Sequence, residues 1–456
     1  MPHQDGMPRH IRGPVTQARF ACLQPSGMGE GISRSRVKRT APRPHNSIAE
    51  SANPLNHRSP PSKKIPIAIW VLGFVSLLMD TSSELIHSLL PVFLFSSLHL
   101  SAFAIGLIEG SAEATALIVK IFSGILSDHW GRRKPLAVLG YALAALSKPL
   151  FAIAAGAGLV VAARLMDRVG KGIRGAPRDA LVAELAPREL RGSAFGLRQS
   201  LDTVGAFLGP LLAIALMLLW SDNFRAVFWI AVIPALCAVA LLMFGVSEPD
   251  TVHTDSPEKP FAKTRLSGLT PAYWWVVGVG VVFTLARFSE AFLVLRVQQG
   301  GLPLAFVPLV LIVMNLVYAA SAYPFGRLSD TLSHSKLLAA GLLTLMAADL
   351  LLAHSEHWAW TWPGIALWGL HMGMTQGLLA RMVADTVPHR LLGTAFGFFN
   401  LASGLAMLAA SVVAGLLWDR LGAASTFYAG AGFSLLALLV IGLRKSDLQT
   451  PTCNES

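Results

Sequence analysis

Charge is what this sequence has least of. Asp, Glu, Lys and Arg supply 14% of its 456 residues, against roughly 25% in soluble globular proteins. Hydrophobic residues supply 53% and the mean hydropathy is +0.55, which together exclude an ordinary water-soluble enzyme. Cysteine is scarce as well. Cys22, Cys237 and Cys453 offer neither a disulfide framework nor zinc-ligand spacing, so no metal site is expected. No GxxxxGK[ST] phosphate loop occurs, which removes the support for nucleotide-driven work; Gly170-Lys171-Gly172 lies inside an apolar run and is no such loop. HExxH and GxSxG patterns are missing too, so no catalytic residues and no organic cofactor are expected. The N-terminus lacks the apolar h-region of a signal peptide.

What the sequence has instead is apolar runs of about 20 residues, enough to cross a hydrocarbon core. They recur from Ile65 to Leu443, and their polar breaks define twelve predicted spans at 66–95, 104–126, 136–155, 159–185, 194–220, 226–246, 273–297, 304–325, 337–353, 360–384, 394–417 and 423–443. The expected fold class is an all-α membrane protein with twelve transmembrane helices, and the lipid bilayer is its first partner. The net charge of +11 would suggest nucleic acid in a soluble chain. Here residues 1–64 hold eleven Lys and Arg against Asp5, Glu30 and Glu50, which reads as a disordered, cytoplasmic tail by the positive-inside rule. No nucleic-acid partner is expected. Placing both termini inside puts Arg132-Arg133-Lys134, Arg188, Arg191, Lys336, Arg390 and Arg444-Lys445 on the cytoplasmic side, with short, nearly uncharged loops opposite. The expected location is the plasma (inner) membrane.

The longest internal polar stretch contains Pro249, Pro257 and Pro260 and reads as a linker. The predicted organisation is a tail over 1–64, a bundle over 65–246, a cytoplasmic linker over 247–272, a second bundle over 273–443 and a tail over 444–456. The two bundles repeat one another. Gly124-Ile-Leu-Ser-Asp128 matches Gly326-Arg-Leu-Ser-Asp330, and Pro187-Arg-Glu-Leu-Arg-Gly192-Ser-Ala-Phe-Gly196 matches Pro388-His-Arg-Leu-Leu-Gly393-Thr-Ala-Phe-Gly397. Ser83-Glu84 matches Ser289-Glu290. All three pairs lie about 200 residues apart, so the chain reads as a six-helix unit duplicated in parallel.

The loop after the second span, Gly124-Ile-Leu-Ser-Asp128-His-Trp-Gly131-Arg132-Arg133-Lys134, resembles the GxxxD-xx-GRRK hallmark of the major facilitator superfamily. The resemblance runs from about 65 to 445. It implies two pseudo-symmetric six-helix bundles around a central cavity lined by helices one, four, seven and ten. It also implies that Gly124, Asp128, Gly131, Arg132 and Arg133 form a gate latch: Gly124 allows close packing, Asp128 faces a helix N-terminus and the arginines seek carboxylates. The second copy keeps Gly326 and Asp330 but has Ser333-His334-Ser335-Lys336, a degraded latch. In the fifth span, Gly205-Ala-Phe-Leu-Gly209-Pro210 is similar to the motif that marks the drug:proton antiporter-like exporters of the superfamily. Small residues four apart permit tight contact and Pro210 bends the helix, but Ala213-Ile214 replaces the family's closing glycine pair. In the fourth span Asp167 and Arg168 stand where multidrug pumps have Gln and Gly after the Arg164 position.

Charges inside the membrane are the most informative feature, since each costs roughly 2.5–3.5 kcal/mol at a helix centre. The first span carries Asp80, Glu84 and His87 on one face, and the second carries Glu109, Glu113 and Lys120. The fourth carries Arg164, Asp167, Arg168, Lys171, Arg174 and Arg178 along one stripe. The fifth adds Arg198 and Asp202. The second bundle is poorer, with Arg287, Glu290, Arg296, Asn315 and Asp349. These residues point to a polar interior, or else to a structural ion-pair network that neutralises itself. Glu84, Glu290, Asp80, Glu109, Glu113 and Asp202 are candidate proton carriers, Glu84 first. Arg164, Asp167, Arg168, Lys171, Arg198 and Asn315 are candidate substrate contacts, with Asp167 an internal counter-ion for its neighbouring arginines.

The expected activity is secondary active transport of a small organic solute by a monomer, with protons as the coupling ion and export as the direction. Import of an anionic or zwitterionic metabolite by proton symport is the alternative, favoured by the positive stripe. A polytopic membrane enzyme is the alternative of another class, but it would need a long polar loop at the membrane surface.

Overall fold

The structure, a computed structural model, describes residues 65–130, 132–187, 190–248, 269–329, 332–388 and 391–443. Both predicted tails, most of the linker, Gly131, Asp330 and the side chain of Asp128 lie outside the described residues. Every element is helical: α1 Ile67–His87, α2 Ala102–Trp130, α3 Arg133–Ile153, α4 Ala157–Leu185, α5 Arg191–Leu219, α6 Phe224–Gly245, α7 Pro271–Ala286, α8 Ala291–Gln299, α9 Leu309–Leu328, α10 His334–His354, α11 Trp362–Asp385, α12 Leu392–Leu421 and α13 Ala423–Leu443. Local signals set several ends. Asn223 caps α6 by accepting from the Ala226 N–H at 3.1 Å. Thr270 caps α7 in the same way at Tyr273, with Pro271 in the first helical position. Gly422, at φ +89°, makes the tight turn into α13 that a side chain would resist.

Ten helical segments among the described residues are long and apolar enough to cross a membrane. Helices α4 and α11 occupy two further predicted spans but fall short on composition. Two predicted continuous spans are interrupted. The first is α1 followed by a turn at 88–89 and a short helical stretch to Ser97. The seventh is α7 and α8 separated by a non-helical break over residues 287–290.

The packing follows the repeat. Helix α1 lies between α5 and α6, while α4 contacts α2 and α3; in the second half α11 contacts α9 and α10, and α7 contacts α12 and α13. Across the halves, α2 packs along α12 as extensively as any pair in the molecule, and α5 touches α9 more lightly. The apolar core shows how the halves meet. At one end a single cluster spans both halves, holding Phe93, Phe151 and Phe228 together with Phe292, Trp368, Trp418 and Phe427. At the end bearing Arg132–Lys134 the core divides in two. One cluster there surrounds Leu72, Tyr141 and Leu181, and a separate one surrounds Tyr273, Leu338 and Met382. The halves are therefore sealed at one end and apart at the other.

Candidate functional site

The stripe on α4 is where the structure concentrates charge, and nearly all of it is paired. Arg164 donates to Glu109 at 2.5 Å, with side chains only 3% and 1% exposed. His87 links this pair to α1: its Nδ1 lies 3.3 Å from Glu84 and its Nε2 3.6 Å from Glu109. Arg168 meets Glu113 at 3.3 Å. Arg174 meets Asp80 at 3.6 Å while its guanidinium lies 4.9 Å over the Tyr141 ring. Arg178 and Arg198 share Asp179 and Asp202, the Arg198–Asp202 contact being 2.9 Å.

Asp167, expected to neutralise its own neighbours on α4, has another principal partner. Its Oδ1 accepts from Lys148 on α3 at 2.7 Å, whereas Arg168 lies 4.0 Å away. Lys148 also donates to Ser83 at 3.0 Å. The residues expected to meet a substrate, Arg164, Asp167, Arg168 and Arg198, are thus engaged with protein partners in this conformation. Lys171 is exposed and makes no ion pair among the described residues.

Three cavities surround this network. One, of about 440 Å³, lies between α5 and α9 and brings Asp80, Asp202, Gln199 and Asn315 together. A second, of about 390 Å³, is lined by Glu113 on α2, Phe283 and Arg287 around the break, Gln376 on α11, and Phe399 and Asn400 on α12. A third, of about 430 Å³, shares Phe396 and Asn400 with it and extends past Lys120 and Gly124 to Gly393, toward the end where the halves part. Glu290 is half-buried at the end of the break and makes no ion pair among the described residues. The break is tied to α12, for Ser411 Oγ accepts from the Ser289 N–H at 3.2 Å. Irregular backbone at membrane depth is tolerated where protein or a cavity surrounds it.

The gate motif is held within its own half. Arg133 meets Glu184 at 2.9 Å, and Glu248 accepts from the backbone N–H groups of Arg133 and Lys134 at 2.7 and 3.0 Å. Arg132 is exposed. Gly124 faces Ala176 on α4 at ordinary contact distance, and nothing crowds Gly326. On α5 the small residues serve close packing against α1: a Cβ at Gly209 would lie 2.7 Å from the Thr81 carbonyl oxygen and 2.8 Å from the Glu84 Cβ. Gly205 stands as close to Leu77, and Pro210 is buried beside Gly209.

Sequence reasoning passed over Lys148, Gln376 and Asn400, and gave His87 no role. Lys148 is one cation in an apolar run, next to Pro149. The two amides carry no charge to mark them. Only His87 had a signal, its one-turn spacing from Glu84.

A helical membrane bundle in two repeated halves, with buried charge beside a cavity open at one end, defines a secondary transporter. The profile of the Major Facilitator Superfamily matches residues 72–314 and 292–452, and the chain belongs to that superfamily. It is a transporter, not an enzyme. An uncharacterised MFS-type transporter of Methanocaldococcus jannaschii is 30% identical over 380 residues, 82% of this chain and 94% of that one. The fosmidomycin resistance protein of Escherichia coli is 22% identical over 405 residues, 87% of this chain and 98% of that one. Among solved structures, a bacterial homolog of the human lysosomal transporter Spinster, inward-facing and occupied, superposes with a TM-score of 0.70 at 15% identity, covering 84% of this chain and 98% of that one.

Proposed function

We propose that the protein is a twelve-span, proton-coupled exporter of a small organic solute, working as a monomer by alternating access between two six-helix bundles. It requires no cofactor beyond the coupling proton. Helices α4 and α11 complete the twelve spans because much of their polar surface is buried against neighbouring helices, Arg164, Asp167, Arg168 and Arg174 on α4 and His371 and Thr375 on α11. With the Arg132–Lys134 loop and both termini in the cytoplasm of an inner-membrane protein, the conformation described is inward-facing.

The observation that carries this reading is the contact chain Glu84–His87–Glu109–Arg164, which joins α1, α2 and α4 beside the cavities. A carboxylate and an imidazole in hydrogen-bond reach can pass a proton, and a neighbouring guanidinium makes each transfer felt along the chain. Export is supported by the close α1–α5 contact at Gly205 and Gly209, immediately beside Glu84, and by the resistance-related name of the E. coli relative. Import by symport is the second reading, favoured by Arg287, which lines a cavity and makes no ion pair among the described residues.

Flux of radiolabelled or fluorescent solutes in proteoliposomes, with and without a pH gradient, tests both. Glu84→Gln is expected to abolish gradient-driven flux while downhill exchange persists. Undiminished gradient-driven transport in that variant removes Glu84 as the carrier. Uptake with inward-moving protons selects symport.

A further inference from the structure

The cavity of about 390 Å³ has a composition different from the α4 network. Its lining comes from α2, the break after α7, α11 and α12, and none of it comes from α4. Arg287, Gln376 and Asn400 converge on it, and none of the three makes a side-chain hydrogen bond or ion pair among the described residues. Their donors are therefore open to a ligand. Phe283, Phe396 and Phe399 supply aromatic surface to the same space. The carboxylate on the wall, Glu113, is already held by Arg168 at 3.3 Å.

Resting on the transporter reading above, we propose that this cavity binds an organic monoanion with a flat apolar body, its acid group on Arg287 and its oxygens shared with Gln376 and Asn400. A guanidinium offers a planar fork of donors that fits a carboxylate or phosphonate with two parallel hydrogen bonds. Amide side chains add neutral donors without a second charge to desolvate. Phenylalanine rings take the faces of a planar hydrocarbon. Within this cavity a cation finds no comparable site: Glu113 would have to give up Arg168, and Arg287 would repel it. Glu290 lies three residues from Arg287 and makes no ion pair with it among the described residues, so an incoming acid does not have to break an existing bond. Lys171 is another cation without an ion pair among the described residues, but it stands on α4 and does not line this cavity. Recognition therefore belongs to the C-terminal half and the charge network to the N-terminal half.

Three probes sharing one ring system test this in purified, detergent-solubilised full chain: 2-naphthoate, 2-naphthylmethanol and 2-naphthylmethylammonium. Equilibrium dialysis and ligand-induced melting shifts are read for wild type, Arg287→Ala, Arg287→Lys and Gln376→Ala. The acid is expected to bind more tightly than the alcohol, and the alcohol more tightly than the amine. Arg287→Ala should weaken the acid at least tenfold and leave the alcohol unchanged, with the ligand-free melting temperature preserved. Arg287→Lys should recover part of the loss. Three results overturn the proposal: no binding of the acid, amine binding as tight as the acid, or loss of the acid in Lys171→Ala with full affinity in Arg287→Ala. Flux in proteoliposomes separates the two levels. Acid bound by Arg287 but not moved by a pH gradient keeps the site and counts against proton-coupled transport through it, while gradient-driven flux of another solute without acid binding keeps the coupling and defeats the site.

Discussion

Lys148 on α3 and Asp167 on α4 form a 2.7 Å ion pair with side chains 1% and 5% exposed. Neither member has access to water, so each depends on the other. Removing one partner of such a pair strands a charge at a cost of about 3–5 kcal/mol, whereas an apolar replacement of both is often tolerated. Lys148→Met is therefore expected to lower the melting temperature sharply, and the double variant Lys148→Met/Asp167→Leu to recover much of the loss. Melting curves in detergent for the two singles and the double close the cycle. A double variant as unstable as the worse single contradicts the pairing.

His87 bridges Glu84 and Glu109. If the proton crosses this bridge, His87→Gln keeps hydrogen-bonding capacity but loses titration. The expected result is a transport rate that responds much less to pH, at near-normal expression and melting temperature. Flux measured over a pH series checks it.

Gly209 leaves no room between α1 and α5. A methyl group there would press on the Thr81 carbonyl and the Glu84 Cβ, and overpacked contacts typically cost 1–3 kcal/mol. Gly209→Ala should reduce both melting temperature and flux, and Gly209→Val more so. A fully active Gly209→Val would show that the contact is looser than described.

Asp419 on α12 joins the halves at the sealed end, accepting from the backbone N–H groups of Ala102 and Phe103 at 2.9 and 2.8 Å. A carboxylate on a helix N-terminus is favoured by the helix dipole and by charge-assisted hydrogen bonds. Asp419→Ala removes about 1–2 kcal/mol from this state by that argument, enough to move the conformational ratio roughly 5–30-fold toward opening at this end. Spin labels at Leu107 and Leu416, in a variant with the three native cysteines replaced, would report a longer distance. An unchanged distance distribution refutes the clasp.

Asp349 is fully buried, and neither of its carboxyl oxygens has a hydrogen-bond partner among the described residues. Its side chain lies against Gly430 on α13. A buried polar group left without a partner costs about 1–3 kcal/mol, so Asp349→Leu should raise the melting temperature. A fall would mean that the carboxyl has partners in the folded protein.

The helical architecture was legible because membrane spans are written in long apolar runs. The α4 stripe was legible for the same reason, as charge in an apolar context stands out. Its partners were not: Arg164 and Glu109 are 55 residues apart, and nothing local ties one to the other. Lys148 was invisible as a partner because a lone cation in one span says nothing about which helix faces it. The break at 287–290 has no proline or glycine to announce it, and it is held by Ser411 from the distant α12. Gln376 and Asn400 become notable only when the fold brings them to one wall with Arg287.

Helix α4 has a consequence for how the protein is made. It carries Arg164, Asp167, Arg168, Lys171, Arg174 and Arg178, and it is not among the helices apolar enough to enter a bilayer by composition. A translocon offering it to lipid alone would meet a penalty of several kcal/mol. Asp80, Glu109, Glu113 and Lys148 all precede it in the chain and meet its charges in the finished bundle. On the twelve-span reading, biogenesis keeps the first three helices beside the translocon until α4 emerges and releases the four as a unit, with α5 following to bring Asp202 to Arg178.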